Sequence, residues 1–316
     1  MKLIKPSYKI FEQGFEEQDI YKQIEKVGRT CYKSEDKITN ESAKPFVDRM
    51  IASKHYAMLE HGTIYLDCPQ HVFTKYIDNP YSKCQYTKSH IEMDEEYCSS
   101  LYYTDKQEDF FVTTNMRVLV ENGWLGDLQY LCEPTEFHER RICVKFTCDR
   151  GVSHEFVRHR VFSFAQESTR YCNYSKDKFS NELTYICPCW LDYDKVQELT
   201  EIANKDNNEV YRMGHDESLS MEERGLCSFV YDMSNHEHGY LFQISAGWKA
   251  QEARAILPNA LKTELVMTGF ASDWKHFFDL RAYGVTGKPH PQASELAIPL
   301  LNEFITKGYL HGSERN

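Results

Sequence analysis

Residues 158–171, RHRVFSFAQESTRY, combine a dense run of positive charge with apolar side chains. Three arginines and a histidine lie between Arg158 and Arg170, yet Val161, Phe162 and Phe164 are interleaved with them. A solvated basic run would not carry these apolar residues, and a disordered basic tail would not lie in the middle of the chain. The pattern predicts arginines that are held at fixed positions in a partly closed site. An arginine fork matches phosphate and carboxylate oxygens, so the expected ligand is an anion.

The triplet RHR taken alone fits a second interpretation equally well. It could be a surface turn whose charges pair with nearby Glu and Asp side chains, and such pairs contribute little free energy. The residues that follow the triplet are therefore needed to distinguish a ligand-binding site from a surface turn.

Length, composition and charge set broad limits on function. The chain has 316 residues, which permits one large domain or two ordinary ones. Its formal net charge is −11, from 37 basic and 48 acidic residues. An acidic protein is a poor non-specific binder of nucleic acid, because that affinity depends on many basic contacts to phosphates. An anionic ligand must therefore be bound in a local basic pocket.

Cysteine usage and the N-terminus predict a location. The eleven cysteines are an odd number and form no C-x-x-C pair, and the N-terminal MKLIKPSYKIF lacks the apolar segment of a signal peptide. No apolar run approaches the ~20 residues that cross a bilayer. We expect a cytoplasmic protein with reduced cysteines and no membrane partner.

Apolar periodicity predicts a mixture of strands and helices. The predicted strands are residues 3–11, 63–67, 141–148 and 260–268. The predicted helices are residues 17–32, 41–54, 191–213, 221–235, 240–256, 271–281 and 292–307. Asp149 or Ser153 is expected to cap a short helix that ends near Arg160, with His154 and Arg158 on one face. An irregular loop is expected over 163–175.

The predicted fold class is α+β, with a mixed sheet and flanking helices. We expect a single main domain over residues 1–316 that carries an insertion at about 68–140, where clear periodicity is lost. Within that insertion, residues 116–121 predict one helix and residues 121–137 predict a second.

Other motifs indicate no metal site and no standard nucleotide loop. Cys187 and Cys189 are spaced too tightly for most zinc sites, and His236 and His238 have no accompanying cysteine pair. Surface or core roles are favoured for both pairs. The sequence contains no G-x-x-x-x-G-K-[ST], no G-x-G-x-x-G and no G-x-S-x-G.

The spacing RHR, seven residues, then Ser168, Arg170 and Tyr171 resembles the RHR-x7-S signature of the flavin-dependent thymidylate synthases. Four further segments are similar to family segments and occur in the family's order. They are HYAMLEH at 55–61, EARAILP at 252–258, WKHFFDLR at 274–281 and HPQASE at 290–295. The resemblance covers roughly residues 1–67 and 141–307.

The resemblance implies an enzyme that methylates deoxyuridine monophosphate (dUMP) to thymidylate (dTMP). Methylenetetrahydrofolate would supply the carbon, reduced FAD the electrons, and NADPH would recharge the flavin. It also implies an α+β fold that assembles as a homotetramer with active sites shared between subunits. Nucleic acid would not be a partner.

The resemblance also implies roles for individual residues. Catalysis is assigned to Arg158, His159 and Ser168. Binding of dUMP is assigned to Glu155, Gln166, Glu167, Ser168, Arg170, Arg254 and Arg281. Binding of FAD is assigned to His55, Glu60, Arg158, His159, Arg160, His276, Leu280 and His290. No metal is expected. Glu155 stands where some members have glutamine, and Ser272 where some place an arginine beside the flavin.

The sequence fits two other classes of protein less well. A cysteine-dependent thymidylate synthase needs a nucleophilic cysteine in a P-C-H context, whereas Cys189 here is followed by Trp190. A non-enzymatic protein that binds nucleic acid or nucleotides through RHR and the tyrosines is disfavoured by the net charge. No cysteine has a context that predicts a reactive thiolate; Cys172 comes closest to one, because it lies near Arg170. We therefore expect the flavin to replace a protein nucleophile.

Overall fold

Helices and short strands alternate along residues 1–88 and 108–310, which the computed structural model describes. The strands are β1 (Lys2–Ile4), β2 (Ser7–Phe11), β3 (Thr63–Asp67), β4 (Lys83–Lys88), β5 (Glu108–Asn115), β6 (Arg141–Asp149), β7 (Ser163–Gln166), β8 (Thr184–Ile186) and β9 (Lys262–Phe270). The α-helices are α1 (Glu17–Tyr32), α2 (Ala43–Ala52), α3 (Gln70–Phe73), α4 (Met116–Asn122), α5 (Arg150–Phe156), α6 (Tyr193–Lys205), α7 (Asn207–Gly214), α8 (Met221–Ser245), α9 (Ala250–Ala253), α10 (Ala271–Phe278) and α11 (Pro291–Thr306). The predicted mixture of helices and sheets is confirmed.

The chain divides into two compact units. The first unit comprises Met1–Ile10, Gly28–Asp36 and Cys143–Asn316, and the second comprises Phe11–Val27 and Lys37–Ile142. The predicted insertion at 68–140 falls within the second unit. It stays a prediction, and its residues 89–107 lie outside the described ones.

Two sheets organise the first unit. Strands β1 and β8 pair in parallel, and the larger sheet has the order β2-β6-β9-β7. Strand β7 runs antiparallel to β9, with Ser163 opposite Thr268 and Gln166 opposite Leu265. This pairing corrects the expectation of an irregular loop over 163–175, because the alternating burial of β7 is that of a strand packed on one face.

A buried carboxylate starts helix α5. Asp149 Oδ1 accepts a hydrogen bond from the Val152 amide at 2.7 Å, as an N-cap residue does. The second oxygen, Oδ2, accepts one from Gln292 Nε2 of α11 at 2.6 Å. The predicted cap is thus confirmed, and Asp149 also links α5 to α11. The helix ends at Phe156 and not near Arg160, so the prediction that His154 and Arg158 share a helical face is wrong.

An aromatic cluster forms the core beneath α5 and α10. Its fully or nearly fully buried members are Phe146, Phe156, Phe162, Trp274, Phe277, Phe278 and Phe304. Ring centroids lie 4.7 Å apart for Phe162 and Trp274 and 5.0 Å apart for Phe156 and Phe277. A β-carbon at Gly269 would lie 2.6 Å from the Phe162 ring, so only glycine admits this packing.

The second unit contains a three-stranded antiparallel sheet of order β3-β5-β4. Strand β3 has the predicted bounds. Asn115 ends β5 and caps α4, because its side chain accepts a hydrogen bond from the Val118 amide. The predicted helix at 116–121 is therefore confirmed. The second prediction, at 121–137, corresponds to a 3-10 turn over Leu125–Tyr130.

Several predicted boundaries are corrected where side chains or backbone interrupt a pattern. The strand predicted over 3–11 is broken at Lys5 and Pro6, where proline has no amide to donate. The helix predicted over 191–213 is split at Asp206, whose side chain caps α7 through the Asn208 amide.

The helix predicted over 221–235 instead continues to Ser245. Because His236 and His238 lie two residues apart within α8, they do not share a helical face. The predicted helix over 240–256 is not continuous. Its first residues belong to α8, which ends at Ser245, and its last residues form α9 and a 3-10 turn at Arg254–Ile256. Among the described helices, none is long and apolar enough to cross a membrane.

Candidate functional site

A cationic pocket of about 750 Å³ opens on the first unit. It is lined by Glu155, Arg158, His159, Arg160, Val161, His276, Leu280, Arg281, Thr286, Gly287, Lys288, Pro289 and His290. The described lining residues include three arginines and one lysine but only a single carboxylate. The volume lies in the range of roughly 300–1,000 Å³ that is usual for small-molecule sites. Charge and size together suit a polyanionic organic ligand.

Three segments supply the walls of this pocket. The first is the turn at residues 157–161, which follows α5 and holds the RHR motif. The second is a π-helical turn, Asp279–Tyr283, which continues α10 and contains Leu280 and Arg281. Such turns are rare and occur frequently at functional sites. The predicted helix over 271–281 therefore ends three residues early as an α-helix.

The third wall is the loop over residues 284–290. Gly284 has a φ of 69°, and a β-carbon there would lie 2.7 Å from the Gly287 carbonyl oxygen and from the Pro289 ring. Only glycine fits this left-handed, crowded position. The loop consequently folds back tightly and brings Lys288 and His290 to the pocket.

Arg281 is bonded on all three of its nitrogens. Nη1 forms an ion pair with Glu155 Oε2 at 2.5 Å, and Nη2 donates to the Glu155 carbonyl oxygen at 2.9 Å. Nε donates to His159 Nε2 at 3.1 Å. The Ser294 hydroxyl of α11 donates to the Arg281 carbonyl oxygen at 3.0 Å. Arg281 thereby links α5, the RHR turn and α11.

His159 is a neutral imidazole in this arrangement. It is only 6% exposed, and its ring lies 5.1 Å from that of Phe277. Burial, reinforced by the positive charge of Arg281 and by His276, lowers the pKa of His159 to about 4. Because Nε2 accepts the hydrogen bond from Arg281, the ring proton resides on Nδ1.

Arg158 and Arg160 contrast with Arg281. Both side chains are exposed, and within the described part of the chain neither forms an ion pair or a hydrogen bond. Lys288 is likewise exposed. These cations retain their full capacity to bind phosphate oxygens.

A second group of predicted residues lies in a turn over residues 168–172, named here the Ser168 turn. Its backbone is fixed by bonds from the Ser168 amide to the Cys31 carbonyl at 3.0 Å and from the Cys172 amide to the Ser168 carbonyl at 2.8 Å. Arg254 Nη1 donates to Thr169 Oγ1, and Arg170 Nε donates to Gln251 Oε1, each at 3.3 Å. The exposed side chains of Arg170 and Arg254 are thus held beside the same turn.

Glu167 anchors this turn from below. It is 2% exposed; Oε2 pairs with Lys262 Nζ at 2.7 Å, and Oε1 accepts from the Tyr174 hydroxyl at 3.1 Å. The Glu167 amide also donates to the Glu264 carbonyl at 2.8 Å. Its carboxylate is therefore directed into the protein.

The neighbouring Glu264 belongs to the same ionic network. Burial would raise the pKa of Glu264, but Lys262, Lys33 and Lys145 lower it to about 2. The network thus keeps its carboxylate charged over the whole physiological range of pH. Gln166 is also directed inward, since its amide donates to the hydroxyls of Ser153 and Thr263.

The predicted site residues are therefore distributed over three places. The pocket gathers Glu155, Arg158, His159, Arg160, His276, Leu280, Arg281 and His290. The Ser168 turn and its surroundings hold Gln166, Glu167, Ser168, Arg170 and Arg254. The second unit holds His55 and Glu60.

The two residues of the second unit have local surroundings of their own. His55 is exposed and follows α2, and its amide donates to the Met50 carbonyl at 2.9 Å. Glu60 Oε1 pairs with Arg117 Nη1 at 2.5 Å. Arg141 Nη1 donates to the Glu60 carbonyl at the same distance.

Sequence reasoning missed the segment at residues 286–289, TGKP. Lys288 adds a cation to the pocket, and Gly287 and Pro289 shape its wall. The close spacing of glycines and prolines around a lysine, immediately before the HPQASE segment, was the available signal. Thr169 and Gln251, which hold Arg254 and Arg170, had no comparable signal in the sequence.

Among the described residues, no group of three or more His, Cys, Asp or Glu side chains is arranged to hold a metal ion. The pocket residues instead fit an anionic cofactor. Exposed arginine and lysine side chains suit phosphates, and imidazole and Leu280 side chains suit the ring system of a dinucleotide.

Comparison with known proteins identifies the family. A family model described as thymidylate synthase complementing protein matches residues 98–307, which is more than half of the 316 residues. The chain belongs to this family. The predicted resemblance to flavin-dependent thymidylate synthases is thereby confirmed.

Individual relatives match over part of the chain. A protein of Corynebacterium aurimucosum named flavin-dependent thymidylate synthase is 30% identical over 154 residues, which are 49% of this chain and 54% of that protein. One of Corynebacterium efficiens with the same name is 34% identical over 134 residues, 42% of this chain and 46% of that protein. The chain thus spans about half the length of the curated relatives it matches.

A solved structure gives a weaker likeness. The UMP/dUMP methylase PolB from Streptomyces cacaoi, bound with 5-Br dUMP, aligns over 97% of this chain and 93% of that chain. The sequence identity is 12% and the TM-score is 0.41. A likeness at this level carries nothing about function.

The depressed pKa of His159 predicts a pH-dependent loss of stability. The neutral imidazole is favoured in the folded state, whereas the unfolded chain takes up a proton below about pH 6.5. The free energy of unfolding should therefore fall as pH falls from 6.5 towards 4, by about 3 kcal/mol from this one group.

Urea denaturation between pH 7 and pH 4, compared between variants, measures the contribution of His159 to the pH dependence of the free energy of unfolding. His159→Gln should lose that part of the pH dependence, whereas His154→Gln, which removes an exposed histidine, should keep it. Equal pH dependence in the wild type and His159→Gln would show that the imidazole is not held neutral.

Proposed function

We propose that this chain catalyses the reductive methylation of dUMP to dTMP. Methylenetetrahydrofolate donates the carbon, reduced FAD donates the electrons and NADPH recharges the flavin. The observation that carries the proposal is the pocket, where the RHR motif meets His276, Arg281 and His290 in a chain of this family. The finding is the more telling because the protein as a whole is acidic.

The proposal divides the binding work between two groups of residues. Arg158, Arg160 and Lys288 would bind the phosphates of FAD, and His276, Leu280 and His290 would border the flavin side of the pocket. The exposed Arg170 and Arg254 would bind the phosphate of dUMP beside Ser168, and Arg281 would bind the same nucleotide from the pocket. When bound, reduced FAD supplies the two electrons that turn the transferred one-carbon unit into a methyl group.

The cysteines support a mechanism without a protein thiolate. Burial raises the pKa of the Cys172 thiol to about 12, and Cys172 is fully buried. Burial also raises the pKa of Cys189. A nucleophilic cysteine requires the opposite shift. Cys98 lies outside the described residues.

Ser168 does not replace the missing thiolate. Its hydroxyl oxygen accepts a bond from the Arg170 amide at 3.3 Å, and the described residues show no basic side chain bonded to it. Since a serine nucleophile needs an adjacent base, we propose that Ser168 orients the nucleotide. The remaining task of the protein is to position the uracil and to stabilise developing negative charge with arginines.

We also propose the assembly and location that the resemblance implies. A homotetramer with shared active sites would bring residues of neighbouring chains to each pocket, and symmetric assembly is the common solution for such sites. The protein would act in the cytoplasm.

The folate product tests the reaction. With dUMP, methylenetetrahydrofolate, FAD and NADPH, we expect dTMP and an equal amount of tetrahydrofolate, because the flavin and not the folate is oxidised. Chromatography of the folates during turnover measures this ratio. Cys172→Ala and Cys189→Ala should remain active. Stoichiometric dihydrofolate, or no dTMP at all, would contradict the proposed reaction.

Arg170→Ala should separate nucleotide binding from flavin binding. Loss of one charge-assisted contact to a phosphate costs about 1.5–3 kcal/mol, so the Kd for dUMP should rise about 10- to 100-fold while that for FAD changes little. Titration calorimetry measures both constants. Arg212→Ala, which removes an exposed cation in α7, is the control. Equal weakening of both ligands would indicate a folding defect.

A further inference from the structure

The environment of Glu155 differs from that of a residue that contacts a nucleotide directly. Its carboxylate Oε2 and its carbonyl oxygen both accept hydrogen bonds from Arg281, at 2.5 and 2.9 Å. The side chain of Glu155 is 28% exposed and that of Arg281 is 16% exposed, so solvent screens this ion pair only in part. A carboxylate pointing at a bound phosphate would repel it, whereas one paired with an arginine is neutralised.

The bonds on Arg281 leave part of the guanidinium available. A guanidinium carries five N–H groups, and three of them are used by Glu155 and His159. No described residue bonds to the other two N–H groups, one on each terminal nitrogen, so they can bind a ligand. Because the three occupied groups fix the plane of the fork, they also fix the directions of the two that remain.

The same bonds determine which nitrogen of His159 carries the proton. With Nε2 accepting from Arg281, Nδ1–H becomes a donor of a residue that lines the pocket. Loss of the Glu155–Arg281 ion pair would therefore free both the orientation of the guanidinium and the tautomer of His159.

We propose that Glu155 is a positioning residue, which fixes the guanidinium of Arg281 and, through it, the Nδ1–H tautomer of His159. Arg281 then presents its two free N–H groups to the anionic substrate in one orientation. The identity of the substrate as dUMP rests on the proposed function. The bonds among Glu155, Arg281 and His159 do not depend on it.

The tautomer of His159 is the direct readout. Long-range proton–nitrogen correlation spectra of histidine-labelled protein report it, with the signal assigned by its loss in His159→Gln. The wild type should show the Nδ1–H form. Glu155→Ala should give a mixture of tautomers, whereas Glu155→Gln should keep the Nδ1–H form, because an amide oxygen still accepts a bond from Arg281.

Binding of dUMP is the second readout. The Kd should rise about tenfold in Glu155→Ala and should be largely restored in Glu155→Gln. Glu222→Gln, an exposed residue in the first turn of α8, makes the same change of charge and should alter neither readout. If Glu155→Ala does not fold, Arg281→Lys removes the fork and should mix the tautomers in the same way.

An unchanged His159 tautomer in Glu155→Ala, or in Arg281→Lys, would overturn the positioning role. Tighter dUMP binding in both Glu155 variants would also overturn it, since that would mean the carboxylate opposes the nucleotide. If the wild type binds no dUMP, the proposed function fails, yet the tautomer measurement still decides the role of Glu155.

Discussion

One guanidinium holds the pocket of this protein together. Arg281 binds the end of α5 through Glu155, the RHR turn through His159, and α11 through its carbonyl oxygen. The aromatic core supports this arrangement from below, because the ring of Phe277 lies 5.1 Å from that of His159. A buried, neutral imidazole can tolerate the positive charge only as a hydrogen-bond acceptor. The structure of the RHR turn therefore depends on Arg281 as much as on its own sequence.

The arginines of the site consequently fall into two kinds. Arg281 is bound internally and serves as a rigid donor, whereas Arg158 and Arg160 are exposed and have no partner among the described residues. The Ser168 turn shows the same division, with Glu167 buried against Lys262 while Arg170 faces solvent. In both places a partly or fully buried carboxylate, paired with a cation, lies beside residues whose cationic side chains are exposed. This is an efficient way to keep a cationic site on an acidic protein.

Sequence patterns predicted the elements whose signals are local. Helix α1, strand β3 and the Asp149 cap follow from periodicity and from side-chain chemistry within a few residues. The interleaved charged and apolar residues around RHR predicted arginines in a partly closed site, whereas the pocket residues at 276–281 and at 290 were predicted from the family resemblance alone. Periodicity would not have found them.

What could not be predicted depends on contacts between distant residues. Strand β7 pairs with β9, which lies about a hundred residues later in the chain, and no local sequence pattern predicts that pairing. The inward direction of Glu167 is set by Lys262, and the ion pair of Glu155 by Arg281. Likewise, the spacing of apolar residues over 271–281 did not predict that Arg281 lies in a π-helical turn.

We propose that the cationic pocket around the RHR turn binds the flavin. Titration of FAD, followed by flavin absorbance and fluorescence, tests this binding directly, with the double variant Arg158→Ala/Arg160→Ala beside the wild type. We expect a perturbed flavin spectrum with saturable binding in the wild type, and at least tenfold weaker binding in the double variant. Wild-type protein that leaves the spectrum of added FAD unchanged, or a double variant that binds FAD as tightly as the wild type, would contradict it.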